Sequence, residues 1–385
     1  MEERIKFIIA MKENKIPFKQ LCKEFNISEK TGYKWKNRFE ETGDYYCLQD
    51  QSKAPKSNSN QLDEDTIVAI LSLKDKHPFW GAKKLQYILQ TTQSVENVPS
   101  VSSVNRILKK AGKVKKRKVR KVSTDSASVL RKQIPAQSPN DVWAIDFKGW
   151  WVSDGERCEP FTVRDLASRK VLAATLVRKK DTETIQSILT ELFKTYGLPR
   201  VIRSDNGTPF CSTSSVLGLT RLSAWWMTLG IIPDRTEPGC PGQNGSLERF
   251  HSDLAQEVEG RTPGGILANQ KVLDSWREEY NSIRPNEAIG LKTPDSVYTT
   301  SPRIYTGDVE ELEYPFGYQR RKVKKDGIFK WKTMEIMLSS AFRGHYIGLK
   351  ELKDGNFHVY FTEQLLGTFY PKLVYFEPLD RVESD

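Results

Sequence analysis

The sequence predicts a multidomain chain, with N-terminal all-α tandem helix-turn-helix modules, a central α/β core and a small C-terminal β-barrel. Three observations predict this. Apolar residues recur at helical spacing up to about residue 112, strand-like and helix-like runs alternate over 137–300, and short strand-like runs with tight Asp-Gly turns fill 318–378. A chain of 385 residues suits two to four domains at roughly 150 residues each.

The first helical module covers 1–48. Ile5, Ile8 and Ile9 form one apolar face, and Phe18, Leu21, Cys22 and Phe25 another. Asn26-Ile27-Ser28 breaks the pattern, and Ser28 is a good N-cap with Glu29 in the first turn. The helix that follows carries Lys30, Lys34, Lys36 and Arg38, so a basic helix stands second, where a groove reader belongs. Residues 49–61 are polar and Ser/Asn-rich and read as a linker. A second module spans 62–112. Ile67, Ile70, Leu71 and Leu73 make its first stripe, Leu85, Ile88 and Leu89 its second, and Pro99-Ser100 opens a third helix through Val101, Val104, Ile107 and Leu108, with Arg106 among them. Two such modules in tandem read a longer DNA site than one.

The net charge of +11 points to a polyanionic partner, and nucleic acid is the commonest. The charge concentrates in 109–121, where nine of thirteen residues are Lys or Arg. The stretch 113–136, with Lys115, Lys116, Arg117, Lys118 and Arg120, reads as a basic linker that tracks phosphates, each neutralised phosphate steepening the salt dependence. Cys22, Cys47, Cys158, Cys211 and Cys240 lie far apart, and with only His77, His251, His345 and His358 they make no zinc-spaced cluster. With no long apolar run and a polar N-terminus, the expectation is a cytoplasmic protein that meets no membrane.

The core spans 137–300. Its strand-like runs are VWAIDFKGWWV, CEPFTVRDLAS and RKVLAATLV, followed by a helix over 182–196 and a short strand, VIRSDNG. Ala224 to Leu229 reads as helical, Gly230-Ile231-Ile232-Pro233 as extended, and 243–258 and 270–281 as helices. Asp146 lies mid-strand among apolar residues, a costly place for a carboxylate that is neither paired nor ligating a metal. Asp205 ends a strand, where α/β proteins place reacting groups. Glu248 falls in the helix that starts near Gln243, after a glycine- and proline-rich loop. Environment alone leaves Asp154 and Asp165 as rivals for the first position.

Order and context go further. The runs WAIDFKGW, IRSDNGTPF, PGQNGSLERFHSDL and YNSIRPNEAIGLKTPDSVY resemble, in order, the insertion-sequence DDE transposases whose core is similar to retroviral integrase. That resemblance implies an RNase H-like core with Asp146, Asp205 and Glu248 as catalytic and metal-binding triad. It implies two Mg²⁺ ions, with Mn²⁺ as a substitute, and Asp146 bridging both while Asp205 and Glu248 complete one site each. It also implies the reaction: the protein binds the ends of a mobile element, water frees a 3′-OH, and that hydroxyl joins target DNA. Partners would be element-end and target DNA and at least one further copy of the chain, in a prokaryotic, nucleoid-associated setting. Gln243, Asn244 and Arg249 flank the triad as candidate DNA contacts, with Asn206 and Gly207 beside Asp205. There are departures. The 42 residues between Asp205 and Glu248 exceed the retroviral gap, with the excess expected in CSTSSVLGLTRLS, and Asn286 stands where the family often has His. Two rivals fit parts of this pattern: an RNase H-like nuclease that only hydrolyses, and a non-catalytic DNA-binding transposition regulator.

Overall fold

A computed structural model describes residues 1–50, 62–93, 95, 97–114, 133–213, 215–236, 245–261, 263–307 and 311–379. Two compact units emerge, Met1–Leu62 and Asp63–Asp385.

The first unit contains α1 (Glu2–Glu13), α2 (Phe18–Glu24) and α3 (Glu29–Thr42), closed by a 3-10 turn over Tyr45–Leu48. Phe7, Ile8, Leu21, Cys22, Phe39 and Leu48 make its core. The buried face of α1 is therefore centred on Phe7 and Ile8, while Ile9 faces solvent, a phase one residue away from the isoleucine face read in the sequence. Ser28 caps α3 by accepting the Thr31 N–H. A Cβ at Gly32 would stand 2.7 Å from Cys22 Sγ, so glycine is what lets α3 cross α2 this closely.

The second unit begins with α4 (Glu64–Lys76), α5 (Ala82–Thr91) and α6 (Val101–Lys110) around Ile70, Trp80, Leu85, Leu89, Val104 and Leu108. This trio meets the core through polar contacts: His77 Nδ1 lies 2.8 Å from Glu279, Lys83 3.3 Å from Glu287, and Arg261 stacks over Phe79.

Five strands form the central sheet: β1 (Val142–Phe147), β4 (Pro160–Asp165), β5 (Val171–Leu176), β6 (Val201–Ser204) and β7 (Ile232–Arg235), in the order β5-β4-β1-β6-β7. The β5-β4-β1 half is antiparallel, and β6 and β7 run parallel to β1. A small hairpin, β2 (Trp151–Ser153) and β3 (Glu156–Cys158), separates β1 from β4. Helices cover both faces. On one face α7 (Thr182–Tyr196) and α8 (Arg221–Thr228) bury Ile185, Leu189, Phe193, Leu222 and Trp226 against Trp143, Ile145, Val163 and Ile202. On the other, α9 (Gly245–Glu257) and α10 (Ile266–Ser282) set Leu247, Phe250, Leu254, Leu273 and Trp276 against Ala144, Val171 and Ala174. Helix α10 starts four residues earlier than its apolar pattern predicts and also seals edge strand β5: Asn281 pairs with both backbone groups of Val171, and Gln270 with Leu176 N–H and Ala174 C=O. The short α11 (Pro294–Val297) closes the core.

The C-terminal part has seven strands: β8 (Tyr318–Lys322), β9 (Ile328–Trp331), β10 (Met334–Met337), β11 (Tyr346–Glu351), β12 (Phe357–Phe361), β13 (Gln364–Tyr370) and β14 (Tyr375–Pro378). An antiparallel sheet β14-β13-β12-β11-β8 joins the β9-β10 hairpin through a bridge between Val323 and Phe329. Among the described residues no ladder between β10 and β14 closes the ring. Phe329, Trp331, Phe342, Phe357, Phe361 and Phe369 fill the interior.

The loop that lengthens the Asp205–Glu248 gap has a structural role. It supplies Val216 and Leu219 to the C-terminal core, and α8 adds Ala224 and Met227. Ser215 Oγ lies 2.7 Å from Ser339 Oγ, and Arg235 holds the loop by donating to the Gly218 carbonyl at 3.1 Å. Leu219→Asp would bury an unpaired carboxylate in this seam at a cost of about 2 kcal/mol or more. The expected result is an earlier melting step confined to the C-terminal strands, seen as hydrogen exchange there at a temperature where β1 and β6 stay protected. Unchanged protection in both parts would contradict the role given to the loop.

Candidate active site

Asp146 is placed by strand alternation. Trp143 and Ile145 turn into the α7–α8 core, so Ala144 and Asp146 turn towards α9. Asp205 follows immediately on β6, which runs parallel to β1, so both carboxylates stand at the same end of the sheet. A buried pair, Arg203 Nε to Asp234 Oδ2 at 2.8 Å, ties β6 to β7 and fixes the strand that delivers Asp205. Asp205 Oδ1 accepts the Gly207 N–H at 3.1 Å, and Asn206 Nδ2 donates to the Thr236 carbonyl at 2.6 Å, so Asn206 and Gly207 shape the turn around Asp205.

The electrostatics of the pair are unfavourable as they stand. Burial pushes the Asp146 carboxyl up to about 7, the Asp205 charge adds to the rise, and the Phe147 N–H at 2.7 Å and Lys180 oppose it. The rivals resolve differently. Asp165 is fully buried at the opposite end of β4, where it accepts Ser168 N–H at 2.7 Å, Ser168 Oγ–H at 2.6 Å and Asn140 N–H at 2.7 Å. A carboxylate so fully satisfied is structural. Asp154 sits in the exposed β2–β3 turn with a left-handed backbone.

Glu248 is exposed in the first turn of α9. Its helical neighbour His251, three residues on, reaches Asp146: Nδ1 stands 3.8 Å from Asp146 Oδ2, and Nε2 lies 3.0 Å from Thr162 Oγ1. Thr162 spends its one proton on the Asp146 carbonyl at 3.1 Å, so the network assigns the ring proton to Nε2. Nδ1 then presents a lone pair to a carboxylate. Burial, with Lys148 and Arg164 nearby, pushes the imidazole down to about 4 and keeps it neutral. Two acceptors thus face each other, and the charge of a second carboxylate, Asp205, acts on the same group. Hard oxygen donors held in mutual repulsion suit a divalent cation such as magnesium. Among the described residues no group of three His, Cys, Asp or Glu side chains is gathered into a cluster able to hold a metal. Asp146 and Asp205 are brought together, whereas Glu248 stands on the same flank of α9 as His251 without joining them.

The other residues singled out in the sequence are dispersed. Lys30 and Lys34 are exposed on α3, with Lys36 and Arg38 half-buried there, and Lys36 pairs with Glu40 at 3.7 Å. Arg106 is exposed on α6, and Arg249 is exposed on α9, 3.4 Å from Asp253. Lys115, Lys116, Arg117, Lys118, Arg120, Gln243 and Asn244 lie outside the described residues. Asn286 caps a turn by accepting the Ala288 N–H at 3.0 Å. His251 and Thr162 were not apparent in the sequence. The one available signal was the i, i+3 spacing of His251 from Glu248.

Residues 136–241 and 229–294 match two family models, both described as integrase core domain. Residues 3–56 match a helix-turn-helix domain and 31–108 a homeodomain-like domain. The "Insertion element IS476 uncharacterized 39.2 kDa protein" of Xanthomonas euvesicatoria is 28% identical over 43% of this chain and 46% of its own length. The "Putative transposase for insertion sequence element IS5376" of Geobacillus stearothermophilus is 24% identical over 58% of this chain and 57% of its own. The chain therefore spans about half the length of the curated relatives it matches. The HTLV-2 integrase catalytic core domain, solved in complex with magnesium, superposes with a TM-score of 0.31 at 15% identity, over 43% of this chain and all of that one. This chain carries an integrase core domain between helix-turn-helix modules and a C-terminal sheet. Within that core its sequence is similar to integrase core domains, and the chain is similar in part to insertion-element proteins. No helix among the described residues is long and apolar enough to cross a membrane.

A raised carboxyl costs stability in its charged form. The contribution of Asp146 is fully present below its unfolded value near 4 and is lost as pH rises through about 7. Metal-free Asp146→Asn is therefore expected to be more stable than the parent at pH 8, by roughly 1–3 kcal/mol, with the gap closing towards pH 4. Urea unfolding in a chelator at both pH values checks this, and equal stabilities at pH 8 would contradict it.

Proposed function

We propose that this chain is a DNA transposase that binds the ends of a mobile element, cleaves there to free 3′-OH groups and joins them to target DNA. The facing carboxylates Asp146 and Asp205, at one end of an integrase-type sheet, carry this reading. Asp146, Asp205 and Glu248 would hold two magnesium ions, with manganese as a substitute. Bound there, the metal would supply charge for the attacking and leaving oxygens of an in-line phosphoryl transfer. The protein's own share is positioning. Strand β1 sets Asp146 beside Asp205, and α9, packed through Leu247, Phe250 and Leu254, leaves Glu248 exposed and turns His251 onto Thr162 and Asp146. Thr162 holds the Asp146 segment by donating to its carbonyl, and His251 in turn donates to Thr162. The same site serves water in the first step and a DNA 3′-OH in the second, since only the nucleophile changes.

End recognition falls to the helical modules. Lys30, Lys34, Lys36 and Arg38 on α3 and Arg106 on α6 would contact DNA, helped by Lys115, Lys116, Arg117, Lys118 and Arg120. Near the triad, Gln243, Asn244 and Arg249 would grip the cleaved strand. The name of the Geobacillus relative and the net charge of +11 support this division. Two ends must meet before joining, so the working form is at least a dimer.

Labelled oligonucleotides carrying the element's own termini, incubated with target plasmid and Mg²⁺, test this. Joined product is expected from the parent. Glu248→Gln should lose both cleavage and joining by about a hundred-fold or more while keeping end binding in a gel shift. Nicking without joining would favour a nuclease, and binding with neither would favour a regulator.

A further inference from the structure

The hairpin that follows the Asp146 strand is built to present an aromatic ring to solvent. Its side chains alternate. Trp151 and Ser153 point inward and are buried, and Ser153 Oγ donates to the Gly264 carbonyl at 2.7 Å. Trp150 and Val152, the outward positions, are 54% and 58% exposed. Large apolar groups are seldom offered to water side by side without a use. Gly149, with φ +97°, turns the chain so that the outward register begins at Trp150. Arg157, whose neighbour across the hairpin is Val152, lays its guanidinium 4.8 Å from the centre of the Trp150 ring. No hydrophobic cluster of the described residues includes Trp150, so the ring adds nothing to a core.

The hairpin's location gives the ring a use. β1 ends opposite the start of β4, where Phe147 pairs with Phe161, and β4 starts opposite the end of β5, where Pro160 pairs with Leu176. The exposed run Arg178-Lys179-Lys180 follows β5, so it lies at the same sheet end as Asp146, Asp205 and the hairpin. Glu156 and Glu159 pair with Arg178, Arg157 and Lys180, which leaves the set cationic. An aromatic face beside guanidinium and ammonium groups is the chemistry that binds single-stranded nucleic acid, with bases stacked on the ring and cations along the backbone. Trp150 stands four positions after Asp146 in the chain, at most about 14 Å when extended. That is about four nucleotides of duplex rise.

We infer that Trp150, flanked by Arg157, is a stacking platform for an unpaired base of the DNA strand, a few nucleotides from the phosphate held at Asp146 and Asp205. The inference rests on the reading of this site as one that acts on DNA. It adds a requirement that the strand be locally unpaired beside the site.

The probe is a short single-stranded oligonucleotide carrying 2-aminopurine, with the blunt duplex of the same sequence as control. Stacking on the ring quenches 2-aminopurine. The full-length parent should bind and quench the single strand. Trp150→Ala should lose the quenching and about ten-fold in single-strand affinity, and Trp150→Phe should keep most of both. Because the ring is exposed, melting temperature should not move in either variant. Equal quenching by parent and Trp150→Ala, or no quenching by the parent, overturns the inference. So does a change of mass in light scattering on Trp150→Ala with DNA affinity intact, which would make the ring a contact between copies. The two readings fail separately. Trp150-dependent quenching from a protein that neither cleaves nor joins DNA would keep the platform and sink the enzyme, whereas full cleavage with Trp150-independent binding would do the reverse.

Discussion

Repulsion between Asp146 and Asp205 is the constraint around which the core is arranged. Burial first and the Asp205 charge second raise the Asp146 carboxyl, so the charged pair at this sheet end opposes folding. The surrounding fold holds them there regardless. Central strands β1 and β6 are parallel neighbours with helices on both faces, and the Arg203–Asp234 pair locks the strand that carries Asp205. The strain is local, and in the proposed function a cation of charge two would relieve it.

Helix α9 links this strain to the rest of the molecule. Its buried stripe of Leu247, Phe250, Leu254 and Val258 belongs to the core, while the adjoining flank carries Glu248 and His251. Any shift of the helix moves both. The helix is also braced from outside: Arg284 bridges Asp253 and Glu257, and Lys84 of α5 is drawn into the same group of charges, where burial and Arg284 push its ammonium down to about 8. The second helical module is thus seated against the element that presents Glu248. On the opposite face, the lengthened loop before α8 seats the C-terminal strands. These two dockings seat the second helical module and the C-terminal strands on opposite faces of the central sheet.

Much of this was legible from the sequence, for identifiable reasons. Strand β1 and helix α7 follow from plain periodicity, and Ser28 and Ser100 announce their helices because a cap is a local event. Asp146 could be nominated since an acid in an apolar strand is conspicuous. Separating it from Asp165 needed the fold, because besides Ser168 nearby in the chain a third donor to Asp165 comes from Asn140, twenty-five positions away. Glu248 rested on the resemblance, since an exposed acid on a helix has no local mark. His251 and Thr162 went unread because they meet across 89 positions. The α1 face was read one residue out of phase, for Ile9 competes with Phe7 on hydropathy alone and only packing against α3 decides between them.

Anomalous scattering from manganese in crystals of the protein bound to an element-end oligonucleotide tests the central claim most directly. The account predicts density ligated by both Asp146 and Asp205, with Glu248 drawn in to complete the coordination. Manganese bound elsewhere, or bound at Asp146 and Asp205 with Glu248 still turned to solvent in the DNA complex, would contradict it.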